Sequence, residues 1–135
     1  MIHQKDLRLG DLVQITEDLL EYKQGDTFAV IGITENYIGL RSLGKYEGRP
    51  EMYTIEDNIE GIPLTPEILE KSGWEQEYYA PIIYGHVGHG IEISLSQTTK
   101  RHSVVFNDVP LCEIQYVHQL QHILWALGED ANLTI

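Results

Sequence analysis

Apolar and polar residues alternate over Leu12-Val13-Gln14-Ile15, the period of a half-buried strand, with Leu7-Arg8-Leu9-Gly10-Asp11 leading in. Phe28-Ala29-Val30-Ile31-Gly32-Ile33 is a denser β run. The turn chemistry of Thr34-Glu35-Asn36 parts it from a third run, Tyr37 to Leu43. After a loop holding Gly44, Gly48 and Pro50, Met52-Tyr53-Thr54-Ile55 fits a fourth short strand. Four short strands in the first 55 residues predict a bent antiparallel sheet or a small barrel.

The middle of the chain carries a helix signal. Thr65 is a good N-cap, Pro66 suits the first helical position, Glu67 favours the positive end of the dipole, and Gly73 supplies a left-handed stop. A meander follows from Glu77–Ala80, Ile82–Tyr84, Ile91–Leu95 and Ser103–Phe106, with turns at Gly85–Gly90 and Gln97–Lys100. Pro81 marks the first of these strands as an edge or a bulge. The last element is a helix from about Gln115 to Leu127, closed by Gly128. At about 100° per residue, Tyr116, Val117, Leu120, Ile123, Leu124 and Leu127 share one arc, which predicts a core-facing stripe. His118 and His122 fall outside it and are expected at the surface.

The expected class is therefore α+β: a bent N-terminal sheet or small barrel, a short middle helix, and a β-meander with the C-terminal helix packed on it. Residues 1–135 are read as a single domain, or as two lobes, 1–61 and 62–135. The 135 residues include 42% from the hydrophobic set, which excludes a disordered chain, and no apolar run approaches the ~20 residues a membrane helix needs. There are 21 acids against 9 bases, a formal net charge of −12, divided evenly as −6 for residues 1–61 and −6 for 62–135. Lys100-Arg101-His102 is the one basic cluster and reads as a solvated hairpin tip, so direct nucleic-acid binding is not expected. The acidity instead attracts basic proteins. A lone Cys112 permits neither an intrachain disulfide nor a thiolate zinc site, and it is expected as a buried structural thiol. With no apolar signal core at Met1–Asp6, the expected location is the cytoplasm.

Among candidate chemistries, the histidines come first. His118 and His122 are spaced i, i+4, and His86 and His89 sit in a glycine-rich turn, so four imidazoles offer a metal site of the kind a hydrolase uses. Against it, a catalytic zinc helix reads H-E-x-x-H, whereas here Gln119 stands where the glutamate base belongs. Gly85, Gly88 and Gly90 are followed by a strand and no lysine, which favours a hairpin over a phosphate loop. Glu75 and Glu77 would share a strand face, as paired carboxylates do, but such pairs arise by chance among 21 acids. There is no G-x-S-x-G elbow. No catalytic residue and no cofactor are expected. Tyrosine dominates the aromatic set, 8 against 2 Phe and 2 Trp, and Tyr78, Tyr79, Tyr84 and Trp125 are candidates for a protein interface.

Three blocks carry a resemblance: Leu7-Arg8-Leu9-Gly10-Asp11-Leu12-Val13; Ile62-Pro63-Leu64-Thr65-Pro66-Glu67-Ile68-Leu69; and Tyr116-Val117-His118-Gln119-Leu120-Gln121 running on to Ala126-Leu127. Together they resemble a family of small proteins encoded by gut anaerobic bacteria and by their phages or prophages. That family's closing helix reads Y-V-H-Q-L-Q-N-L, so the histidine here at 122 replaces an asparagine, and Ile68 stands where the family has Trp. The resemblance brings no assigned reaction, cofactor or catalytic residue. It implies a non-enzymatic cytoplasmic binding or accessory protein of phage or mobile-element origin, whose partner is a protein or a second copy of itself. The alternatives are a metal-dependent hydrolase using the four histidines, and an acidic mimic of DNA that inhibits a host DNA-binding protein.

Overall fold

The structure, a computed structural model, describes residues 2–44, 48–86 and 88–135. Lys45–Glu47 in the Gly44–Pro50 loop and Val87 in the Gly85–Gly90 turn lie outside the described residues. The chain divides into two compact units, residues 1–62 and 63–135.

In the first unit, β1 (Leu12–Ile15), β2 (Thr27–Ile33), β3 (Ile38–Ser42), β4 (Met52–Thr54) and β5 (Ile59–Gly61) form one antiparallel sheet in the order β4-β3-β2-β1-β5. The sheet does not close, so it is no barrel: β4 and β5 remain its edges. A register shift between Val30 and Gly32 interrupts the β2–β3 pairing, and such bulges bend and twist a strand. Phe28, Val30, Ile15, Ile38, Leu40 and Ile59 are buried together, and the Tyr22 ring meets Phe28 edge-on with centroids 5.0 Å apart. β5 is absent from the expected elements because three residues are too few to reveal a period of two.

In the second unit, Thr65 caps α1 (Pro66–Lys71) by accepting the Ile68 N–H at its hydroxyl, 3.3 Å away, and Pro66 occupies the first turn. Five strands follow: β6 (Glu75–Tyr79), β7 (Ile82–His86), β8 (Ile91–Leu95), β9 (His102–Phe106) and β10 (Val109–Ile114). They pair in chain order as an open antiparallel meander, with β6 and β10 at the edges. β10 is one strand more than the pattern predicts, because its Val-Pro-Leu-Cys-Glu-Ile run contains a proline and a bulge. The register puts Tyr84, Ile91, Ile93, Leu95, Val104 and Ile114 on one face, all buried.

The helices are placed differently from the expected arrangement. The short helix α1 is tied directly to the meander, since the Tyr84 hydroxyl donates to Glu70 Oε1 at 2.6 Å. The last helix, α2 (Val117–Ala126), is anchored at its start to the segment before α1, where Pro63 bridges Tyr116 and the Leu64 N–H donates to the Gln115 carbonyl. The Gln119 side chain caps it by accepting the N–H groups of Gln115 and Tyr116 at 2.7 and 3.0 Å. Its buried stripe is Val117, His118, Leu120, Gln121 and Leu124, turned from the expected one toward His118, which is only 6% exposed. The chain's tail accounts for the turn: Gln121 donates to the carbonyl of buried Ala131, so residues beyond the helix cover that flank. No helix among the described residues is long and apolar enough to cross a membrane.

Leu120 and Leu124 are fully buried, so Leu120→Ala or Leu124→Ala should cost about 2–5 kcal/mol. A domain of this size has ~5–15 kcal/mol in all. His118→Ala should destabilise by about 0.5–3 kcal/mol, and by more than His122→Ala. Urea titrations of the four variants check this; equal losses for the two histidines would contradict the shifted stripe.

Candidate functional site

The four histidines form two pairs. The His118 and His122 rings lie on α2 with centroids 5.7 Å apart, His118 stacked on Tyr116 and His122 on the partly buried Trp125. The His86 and His89 rings meet edge-on at 4.3 Å, and Trp74 packs edge-on against His86 at 4.8 Å. His89 Nδ1 lies 2.6 Å from Glu129 Oε2, which ties the tail to the β7–β8 turn. Among the described residues, no three His, Cys, Asp or Glu side chains come together in a set able to hold a metal.

A cleft of about 360 Å³ opens between the start of α1 and the β8–β9 hairpin, lined by Thr65, Glu67, Ser96, Gln97, Lys100 and His102 among others. Although expected at a solvated hairpin tip, His102 is only 5% exposed, because β9 begins there and turns the ring to the apolar face. Its Nδ1 accepts the Ser96 N–H at 3.2 Å, and it also bonds to the Leu64 backbone. Both nitrogens are thus engaged in joining the β8–β9 hairpin to the segment before α1.

Of the interface candidates, Tyr84 is removed by the structure: it is 2% exposed, and burial together with the Glu70 carboxylate pushes its hydroxyl up to about 12. Tyr78 and Tyr79, by contrast, stand 59% and 79% exposed on the edge strand β6. Cys112 is exposed on the opposite edge strand, not buried, and what cover it has pushes its thiol up, away from nucleophilic reactivity.

The uncovered face of the second sheet is acidic. Register aligns Glu75, Gly85 and Glu92 in one cross-strand row, and Tyr78, Ile83, Ser94, Ser103 and Glu113 in the next. A register shift between Gln76 and Tyr78 leaves Glu77 unmatched, so it does not simply repeat Glu75's position. Its carboxylate folds over Gly85, where a Cβ would collide with it. There it faces Glu92 across the sheet. Burial, then the carboxylates of Glu77 and Asp108, push Glu92 above the usual carboxylate range. None of the five strands contains Lys or Arg, and among the described residues none of Glu75, Glu77, Glu92 and Glu113 forms an ion pair. The Glu77–Glu92 apposition could not be read from the sequence, because it needs the bulge, the register and the missing side chain at position 85 together.

The chain matches no protein-family model, no curated protein and no solved structure.

Burial pushes His102 below the ordinary imidazole range, and burial followed by the neighbouring His89 does the same to His86. Unfolded imidazoles take up protons near pH 6.5, and the folded ones resist until lower pH. The unfolded state therefore binds more protons, and this part of the stability is lost as pH falls below about 6.5. His102→Leu should cost about 1–3 kcal/mol at pH 8, where an unpaired Ser96 N–H is left behind. Its deficit against the wild type should then shrink from pH 7 to pH 5, as measured by urea denaturation. A pH-independent deficit would show that His102 titrates alike in both states.

Proposed function

We propose that this is a non-enzymatic protein-binding or accessory protein, cytoplasmic, and of phage or mobile-element origin. The observation that carries the binding reading is the β6 edge, where Tyr78 and Tyr79 stand exposed, Tyr78 on the same face as Glu75 and Glu92, on a sheet whose strands hold no Lys or Arg. Tyrosine supplies large, half-polar area at little entropic cost, which suits a protein interface. An edge strand also offers unpaired backbone groups. The resemblance of the three sequence blocks to a family of small phage and prophage proteins is the ground for the proposed origin. The engagement of His102 and the pairing of the other histidines as ring contacts weigh against a metal-dependent hydrolase.

A second reading, an acidic mimic of DNA directed at a host DNA-binding protein, draws on the carboxylate rows of the same sheet. A negative field of this kind attracts basic proteins whether or not it copies a phosphate spacing.

The test is affinity capture from the lysate of a prophage-carrying gut anaerobe, using wild type, Tyr78→Ser/Tyr79→Ser, and a control at the other edge, Val109→Ser/Leu111→Ser. One partner should be held by wild type and by the control and lost by the tyrosine variant. Retention of every partner by the tyrosine variant overturns the assignment of the face. Release of the partner by double-stranded DNA at low salt favours the mimic; indifference to DNA removes it.

A further inference from the structure

Resting on the β6 face assigned above, we propose that its partner supplies an extended segment bearing Lys or Arg, which adds to β6 as a sixth strand of the second sheet. Three observations choose this occupant. First, β6 ends the sheet, and its five residues are exposed except for the half-buried Gln76, so the edge is accessible along its length. Side chains on an added strand would alternate between the two faces, and every second one would stand beside Glu75 or Tyr78.

Second, the charge is one-sided. Glu75 stands on β6 itself, the Glu77 carboxylate folds inward over Gly85 toward Glu92 on β8, with Asp108 close to Glu92, and the strands hold no Lys or Arg to answer them. Ammonium or guanidinium groups at alternate positions of a sixth strand would pair with Glu75, sit in the field of the carboxylates further in, and find the exposed Tyr78 ring for cation–π contact. A second copy of this chain is a poor occupant of the same edge. Antiparallel pairing of all five residues of β6 with a second β6 would set Glu77 against Glu77, and like charges directly opposite on a sheet are destabilising.

Third, the competing edge is blunted. Both edge strands carry a register shift, but only β10 carries a proline, Pro110, which has no N–H to donate. Strand addition is therefore directed to β6, although β10 exposes Val109 and Leu111.

The probe is a fluorescein-labelled ten-residue peptide of alternating Lys and Val, tested on the full chain by fluorescence anisotropy and by amide exchange. Two comparison peptides accompany it: one of alternating Glu and Val, and a Lys/Val version N-methylated at every residue so that neither of its edges can donate to a ladder. The Lys/Val peptide should bind, weaken as salt is raised, and slow amide exchange within Glu75–Tyr79. Binding should fall at least tenfold for the Glu/Val peptide, for the N-methylated peptide, and for Glu75→Lys/Glu77→Lys. Circular dichroism and a urea titration of that variant establish that it is folded. Equal binding by the N-methylated peptide would mean charge attraction without a ladder and would overturn the inference. So would protection confined to β10, or no binding at all. If a tyrosine-dependent partner is captured while the peptide fails, the binding face stands and strand addition by a basic segment is wrong.

Discussion

The second sheet has two faces that want different surroundings, and most of what the C-terminal unit does follows from that. Strand residues alternate strictly, so Tyr84, Ile91, Ile93, Leu95, Val104 and Ile114 must all leave water on the same side. The glutamates at 75, 92 and 113 are sent to the other side by the same alternation. Six large apolar side chains outweigh any single polar contact in the unit, at roughly 1.5–3 kcal/mol for each one fully buried. The apolar side recruits α1 through Glu70 and Tyr84, and the segment before α1 through His102. The acidic side and the β6 edge are left to the solvent or to a partner.

The tail consolidates this arrangement from several directions. Ser72, at the end of α1, exchanges hydrogen bonds with the Thr134 backbone, Gln121 of α2 holds Ala131, and His89 of the β7–β8 turn holds Glu129. Of the four histidines offered as metal ligands by the sequence, His89 tethers the tail, and His86, His118 and His122 make ring contacts. His102 links the β8–β9 hairpin to the Leu64 segment, and His86 fills the space between Trp74 and His89.

Legibility in the sequence followed the strength of the local period. Ile91–Leu95 alternates cleanly and is the strand the pattern marks, and Thr65-Pro66 with Gly73 brackets the short helix because caps act through neighbouring backbone groups. The three-residue strand at Ile59–Gly61 and the proline-bearing strand at Val109–Ile114 lack a period to read. The open form of the first sheet is a matter of long-range pairing, which spacing cannot show. His118 was misplaced because helical periodicity records the apolar face and not a tail that returns to cover polar positions. Tyr78 and Tyr79 were legible as interface candidates, whereas Tyr84, only five residues further on, is buried because it falls in register with Ile93 on the apolar face.

Whether β6 is an open edge in the free protein can be measured directly by residue-resolved amide hydrogen exchange at two protein concentrations tenfold apart. The central strands β8 and β9 should exchange slowest, and the outward-pointing amides of Glu75–Tyr79 should exchange fastest of any strand, at rates independent of concentration. Protection of β6 equal to that of β8, or protection that grows with concentration, would show the edge already paired and would contradict the assignment of β6 as the binding strand.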